Sequence, residues 1–412
     1  MRPLPCSAHA VMTLLVCLAL AACDDATADD PITLIDADAP DAAPLDMTPT
    51  DMAPTDMAPT DAGPDMPPAD MTPDMAPCGP ACATLTWREA PPLPRVSDHH
   101  TTFIAADDTA AALFVVGGIQ SDAQGGAAAV SDRIDRAPIG PDGLTGAFAE
   151  DRRLPAPLAF HAQARDDRHV WLAGGITRAL GAPTASRTVY QLTLGPAATV
   201  EAITDCGALP AATIHPTAER LDGRLHVIGG STDAPLDTVW TALIGPDGCP
   251  GPFAAGPPLP ETRSHHASAV IDGRIHLFGG FGPNQTPRRT ILRSTHDATG
   301  ALTGWEPAGE LNPAPWTAAA LVLDDTIWLL GGGEGSGVTA RFVDKIRRAV
   351  ITDGIVGPFE AVTDPLPLGR SHVHQTPAHA GHIYSVGGRV FTGAGFDLGS
   401  IDRVFVGRLQ AP

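Results

Sequence analysis

Histidine and arginine supply most of the side chains with which this chain could do chemistry. Fourteen of its fifteen His lie beyond residue 78. Six of them, His99, His100, His161, His265, His266 and His374, recur at the start of short apolar segments. Imidazoles gathered at one point could ligate a metal or move a proton. A recurring position is also what a hydrogen bond between structural repeats requires, and the recurrence favours that role, with no metal and no cofactor expected. Arg95, Arg178, Arg263, Arg288 and Arg370, with the amides Asn284 and Gln285, fall in the segments and loops around those positions. A rim of guanidinium groups could hold carboxylates or sugars in bidentate fashion. Arg is also this chain's default cation, since Lys345 is its only Lys. The expected mouth of the fold is therefore Arg, amide and small residues. There is no Gly-x-Ser-x-Gly elbow and no phosphate loop, so no catalytic residue is named.

The elements that would position these residues are set by a phrase that returns six times, a short apolar strand running into Gly-Gly. The pairs begin at Gly117, Gly174, Gly229, Gly279, Gly331 and Gly387. Self-similarity at a period of roughly 50 residues signals a propeller or an array. Upstream of most pairs stands a Leu-Pro phrase, then the His segment, then a small apolar strand. A turn such as Leu221-Asp222-Gly223 follows, a strong hairpin signal because Gly accepts positive φ. The Gly-Gly strand is the second arm. A variable loop leads to a third strand, and a turn such as Pro246-Asp247-Gly248 leads to a fourth strand marked by Phe148, Phe253, Trp305 or Phe359. Four antiparallel strands in each of six repeats predict an all-β, six-bladed β-propeller.

Trp87 lies six residues before Leu93, as Trp305 does before Leu311 and Phe253 before Leu259. Residues 83–90 therefore read as a fourth strand with no blade of its own. The sixth repeat stops after a third strand, so the N-terminal strand should close the last blade and leave no broken sheet edge.

With Arg, His, a Gly-Gly strand and a fourth-strand aromatic in sequence, residues 83–412 resemble kelch repeats. His161, His266 and His374 stand thirteen residues before their Gly pairs, as the kelch pattern has it. Departures include the scarcity of Tyr, the Pro315-Trp316-Thr317 that replaces the His segment in the fifth repeat, and a second repeat without the fourth-strand aromatic. The resemblance implies a binding module for a protein or a glycan. Some kelch propellers are enzymes. A copper oxidase of the galactose-oxidase type needs a Tyr-rich pocket that two Tyr do not supply, whereas a sugar epimerase such as the sialic-acid mutarotase uses the same ring with few diagnostic residues. An exported carbohydrate-active enzyme, mutarotase- or epimerase-like, is thus the alternative.

The N-terminus is an address. Arg2 precedes an apolar run from Val11 to Ala22, too short to span a membrane and suited to a signal-peptide core. The run ends Leu20-Ala21-Ala22-Cys23, which resembles the lipobox of bacterial lipoproteins. That resemblance implies a signal peptide over residues 1–22, diacylation of Cys23, and anchorage on the periplasmic or surface side of a bacterial envelope. Residues 24–77 contain 14 Asp and no Lys, Arg or Glu, with Asp-Met-Ala-Pro-Thr repeated at 51–55 and 56–60. Pro, Asp and the lack of large apolar groups predict a disordered spacer. Of the formal charge of −21, the spacer accounts for fourteen negative charges and Arg2 offsets one, which leaves −8 over residues 78–412. An acidic head with no basic stripe argues against nucleic-acid binding. A monomer is expected.

Four Cys remain in the head. In an exported chain an even number favours disulfides. Cys78 and Cys82 could close a small loop or hold zinc. Cys206 and Cys249 fall in outer parts of neighbouring repeats and could staple them.

Overall fold

The computed structural model describes residues 84–121, 128–178, 184–373, 375–391 and 398–410, with no side-chain detail at 391 and 398. Cys23, Cys78, Cys82 and His374 lie outside these residues. The chain divides after Met71, and all described residues belong to the second unit. They are all-β, with two single 3-10 turns and no α-helix among them. The strands form antiparallel sheets, mostly of four strands, in a propeller-like arrangement.

Sheet A runs Thr101–Ala106, Ala111–Val116, Arg133–Pro138 and Ala149–Arg153. Sheet B runs Ala162–Arg165, His169–Ala173, Thr188–Gly195 and Thr199–Ala208. Sheet C runs Thr217–Leu221, Arg224–Ile228, Val239–Leu243 and Ala254–Ala255. Sheet D runs Ala267–Ile271, Arg274–Phe278, Thr290–His296 and Leu302–Glu310. In sheet E, Ala319–Leu323, Thr326–Leu330 and Ile346–Thr352 are followed by two short strands, Ile355–Val356 and Glu360–Ala361, both paired with the third. Sheet F takes Ala378–His379, His382–Val386 and Val404–Gln410 from the C-terminal end and Thr84–Ala90 from the N-terminal end. That pairing is continuous, from Thr84 opposite Gln410 to Ala90 opposite Val404.

Local chemistry explains the hairpins. Asp222 and Gly223 sit at φ 48° and 69°, and Asp272 and Gly273 at 46° and 66°. Positive φ at both central residues is the tight turn whose twist matches a two-stranded ribbon.

Packing between sheets is equally regular. Phe103, Phe114 and Leu158 join Leu172, Tyr190 and Leu192 between A and B. Trp171 and Val189 meet Leu225 and Val227 between B and C. Ile228 meets Ile275 and Leu277 between C and D. Phe278 and Ile291 meet Ile327 and Leu329 between D and E. Trp328 and Ile346 meet Leu85 and Ile383 between E and F. Tyr384, Val404 and Val406 of F meet Leu113 and Val115 of A. Each cluster thus buries one face from each of two sheets, and the last sheet packs on the first.

The Gly pairs lock these neighbours together. In every pair the first Gly has φ between 54° and 70° and the second between 87° and 96°. The second Gly donates its N–H to a carbonyl in the segment that enters the next sheet. The bonds run Gly118 to Leu158, Gly175 to Thr213, Gly230 to Arg263, Gly280 to Pro315, Gly332 to Arg370 and Gly388 to Ser97, all at 2.8–2.9 Å. A Cβ on the first Gly would come within 3.0 Å of that same carbonyl oxygen at all six positions. Glycine is therefore required twice over, for backbone angle and for clearance. Cys206 and Cys249 add a covalent link between sheets B and C, with Cα atoms 5.3 Å apart.

Two substitutions separate angle from clearance. Gly223 has positive φ but nothing within 4 Å of an added Cβ, so Gly223→Ala should cost about 1 kcal/mol of stability. Gly229→Ala adds a backbone clash to the same angular strain and should cost roughly 3 kcal/mol or more. Urea unfolding of both variants checks this, and equal losses would show that the clash is not felt.

Candidate functional site

The inner strands of sheets A to F are each entered through a residue held at positive φ. These are His99 (52°), Phe160 (58°), His215 (55°), His265 (57°), Thr317 (49°) and His372 (60°). Left-handed backbone costs a non-Gly residue of the order of 1–3 kcal/mol and persists only where the surroundings over-determine it. Here the backbone supplies the constraint. His99 N–H donates to His372 O at 3.2 Å, Phe160 N–H to His99 O at 3.1 Å, His215 N–H to Phe160 O at 3.0 Å, and Thr317 N–H to His265 O at 2.7 Å. Successive sheets are thus joined at the centre as well as at the Gly pairs.

The side chains of these residues converge. His99 lies 3.7 Å from Phe160, 4.3 Å from His372 and 5.3 Å from His215, measured between ring centroids. Phe160 stands edge-on to His215 at 4.4 Å, and His215 stacks on His265 at 3.7 Å. All six residues are at most 6 % exposed, so they plug the centre rather than line an open pore. Burial holds His372 well below the usual imidazole range, with repulsion from His99 and Arg389 in the same direction and only Asp98 opposing. Neither ring nitrogen of His372 has a hydrogen-bond partner among the described residues. The buried Asp98 carboxylate contacts His99 Nδ1 and accepts from Ser400, and Arg389 Nε stands 3.6 Å away. The group can therefore pack tightly, disfavour charge on His372 and place one carboxyl group beside one imidazole.

The histidines one residue further along do different work. His161 Nε2 meets Thr101 Oγ1 at 2.9 Å, His266 Nε2 meets Thr217 Oγ1 at 2.9 Å, and His100 Nε2 donates to Val386 O at 3.2 Å. Each partner belongs to the neighbouring sheet, so these imidazoles are ties between sheets. Sequence reasoning singled out this row and missed the central one at His215, His372, Phe160 and Thr317. The available signal was spacing: residues 160, 215, 265 and 317 each stand fourteen before the first Gly of their pair. Residue type hid it, because the row contains Phe and Thr.

Two of the candidate arginines, Arg263 and Arg370, are buried and cannot line a rim. Arg263 is fully buried and donates to Gly279 O at 3.1 Å and to Thr290 O at 2.8 Å, beside Glu261. Arg370, 2 % exposed, donates to Gly387 O at 2.9 Å and packs 5.1 Å above the Phe405 ring. Burial lowers Arg370 to about 9, with Arg403 adding to the effect. Both side chains thus reach back to the first Gly of the following pair, tying their own sheet. Arg288 joins Glu261 at 3.0 Å and donates to Thr262 O at 3.1 Å. Asn284 and Gln285 occupy the turn Pro283–Gln285 at φ 54° and 56°, with Asn284 exposed. Arg95 and Arg178 are exposed. Of the mouth of Arg, amide and small residues that the sequence predicts, Arg263 and Arg370 are withdrawn into the sheets, where their guanidinium groups find carbonyls first, while the centre holds His, Phe and Thr.

Beside the plug, two adjacent loops are braced by aromatic rings. Trp316 lies 4.9 Å from Phe281 and 5.7 Å from Phe342, and Phe342 lies 5.6 Å from His372. Trp316 Nε1 donates to Gly335 O at 3.0 Å. Glu334, 2 % exposed, contacts Arg347 and meets Arg341 at 2.9 Å and Lys345 at 3.5 Å. Reciprocal Ser336 and Thr339 bonds close the turn Gly337–Thr339. At its tip Val338 is 81 % exposed. Among the described residues no group of three or more His, Cys, Asp or Glu is placed to hold a metal ion, and no helix is long and apolar enough to cross a membrane.

No family model matches the sequence, and no curated protein matches it. Among solved structures, the chain is similar to that of YjhT, with a TM-score of 0.58 and 11 % identity, over 78 % of this chain and 99 % of that one. At that identity the likeness speaks to the fold alone.

One acid near the centre has a measurable signature. Glu219, on the inner strand of sheet C, accepts a hydrogen bond from Ser268 of sheet D at 2.6 Å. Desolvation raises it from its ordinary 4.5 to about 7, and the Ser268 bond offsets only part of that. A raised carboxyl disfavours the charged folded form, so stability is full below pH 4.5 and falls as pH rises through about 7. At 1.36 kcal/mol per pH unit the loss reaches roughly 3 kcal/mol. Glu219→Gln should remove this slope between pH 5 and 8 in urea unfolding, and an unchanged slope would place its origin elsewhere.

Proposed function

We propose that this chain is an exported lipoprotein whose six-bladed, kelch-like propeller binds a protein or a glycan at the bacterial envelope. In this reading residues 1–22 are the signal peptide, Cys23 carries the lipid, residues 24–77 are the spacer and residues 78–412 the binding head. The six-bladed reading is supported by sheets A to F, each packed on the next and F on A, and by the pairing of Thr84–Ala90 with the C-terminal strand. The likeness to YjhT speaks to a shared fold and does not bear on the ligand.

The binding role rests on one observation, the bracing of the loops that follow the Gly pairs of sheets D and E. Ordering a loop on binding costs affinity, and a loop already fixed avoids that cost. Trp316, Phe281, Phe342 and Glu334 fix the frame, while Asn284, Val338 and Arg341 stand exposed on it. An amide, an aliphatic tip and a guanidinium on a rigid support suit a protein or glycan surface better than a small molecule enclosed on all sides.

A second reading, a carbohydrate-active enzyme, is favoured by the centre. Asp98, His99 and His372 bring a buried carboxyl group and two imidazoles, that of His372 held against protonation, into one place, and these are residue types that general acid–base chemistry uses.

One experiment tests both. Full-length protein, expressed in an exporting bacterium, is fractionated and assayed for protein partners, for glycans on an array and for interconversion of free sugars. The binding reading expects membrane association that Cys23→Ser abolishes. It also expects a bound partner that Val338→Asp with Asn284→Asp weakens at least about tenfold, a loss expected when a charge replaces an interface contact, with the unfolding midpoint unchanged. Sugar turnover that Asp98→Asn removes, without any stable partner, would overturn it in favour of the enzyme.

A further inference from the structure

Away from the braced loops, a cleft of about 330 Å³ opens between the outer strands of sheet F and a turn of sheet A. Its floor is one face of the sheet that joins the two ends of the folded chain. Across that face Thr86 stands opposite Arg408 and Arg88 opposite Val406. His382 flanks Arg408 on the other side. Alternate residues of a strand share a face, so Arg88 and Arg408 are diagonal neighbours, close enough for long side chains to meet. Neither has a side-chain hydrogen bond or ion pair among the described residues. Both residues are exposed, so water rather than an acidic side chain screens the two guanidinium groups from each other. The one acid in the lining, Asp142, accepts the Leu144 N–H at 3.2 Å and makes no ion pair with either Arg.

The far wall is fixed. Tyr384 donates its hydroxyl proton to Gly143 O at 2.8 Å. A Cβ at Gly143 would strike the His382 ring, so the turn sits directly on that imidazole. Leu144, Pro141 and Val406 add apolar surface next to the charges. The lining therefore carries a positive excess in a chain whose total is −21, on a pre-formed frame, at the small end of the range of ligand pockets.

We propose that this cleft binds a small organic oxyanion, a carboxylate or phosphate on a partly apolar body. Arg88 and Arg408 grip the oxyanion, the planar forks matching its oxygens. Val406 and Leu144 pack against the body. The anion replaces the missing counter-charge between the two guanidinium groups. This site is independent of the loop-bearing surface, and its test does not depend on the binding role assigned there.

Calorimetric titration of the full chain tests it with four probes: D-glucuronate, inorganic phosphate, neutral D-glucose and a uronate oligomer. Glucuronate should bind, weaken as salt rises, and lose at least about tenfold in affinity in Arg88→Gln with Arg408→Gln, as charge-assisted bonds predict. Glucose should not bind. Asp142→Asn keeps the turn's acceptor, removes the opposing charge and should tighten glucuronate binding, so a poorly folded double variant would not leave the matter open. Stronger binding of the oligomer than of the monomer would identify the anion as part of a polymer; equal binding would identify a free acid. Phosphate binding without glucuronate binding would overturn the organic body. Failure of both, or a double variant that binds as the parent does, would overturn the site.

Discussion

A single hydrogen bond, repeated six times, holds this fold together. The N–H of the second Gly of each pair reaches the carbonyl of the segment entering the next sheet, from Gly118 to Leu158 around to Gly388 to Ser97. The bond forms only if the first Gly lacks a Cβ, because the accepting oxygen occupies that space. From this clamp the rest follows. It sets where the next inner strand begins, and so where His99, Phe160, His215, His265, Thr317 and His372 meet. It also fixes where the variable loops depart, since each starts directly after a pair.

Buried cations reinforce the same joint. Arg263 and Arg370 donate to the carbonyls of Gly279 and Gly387, the first residues of the pairs that follow them in the chain. A guanidinium can serve several acceptors from one buried position, which an ammonium on a flexible stem does less well. The scarcity of Lys fits such a use of Arg. The clamp thus has a backbone half and, in sheets D and F, a side-chain half.

Much of the architecture was legible in the sequence. The Gly pairs marked the second strands, Asp222-Gly223 and Asp272-Gly273 marked hairpins, and Trp87 identified the strand that pairs with Val404–Gln410. These signals are local and backbone-driven, so one sequence suffices. The fourth-strand aromatics were less sharp: Phe148, Phe253 and Phe359 each stand one residue before the strand they announce, because they pack on the neighbouring sheet rather than pair. The site was hardest to read. Nothing in the types of Arg263 and Arg370 tells a buried tie from an exposed ligand contact. The central row is defined by a backbone angle that His, Phe and Thr all satisfy, so it carries no residue signature. The cleft at Arg88 and Arg408 joins positions more than three hundred residues apart, which only the closing strand brings together.

The account's central claim is that the Gly clamps join all the sheets equally, including the last to the first. Amide hydrogen exchange at Gly118, Gly175, Gly230, Gly280, Gly332 and Gly388 tests it most directly. If the claim holds, all six exchange only through global unfolding, as slowly as core strand amides such as Leu113. Exchange at Gly388 that is orders of magnitude faster than at the other five would contradict it, since the seam between sheets F and A would then open on its own.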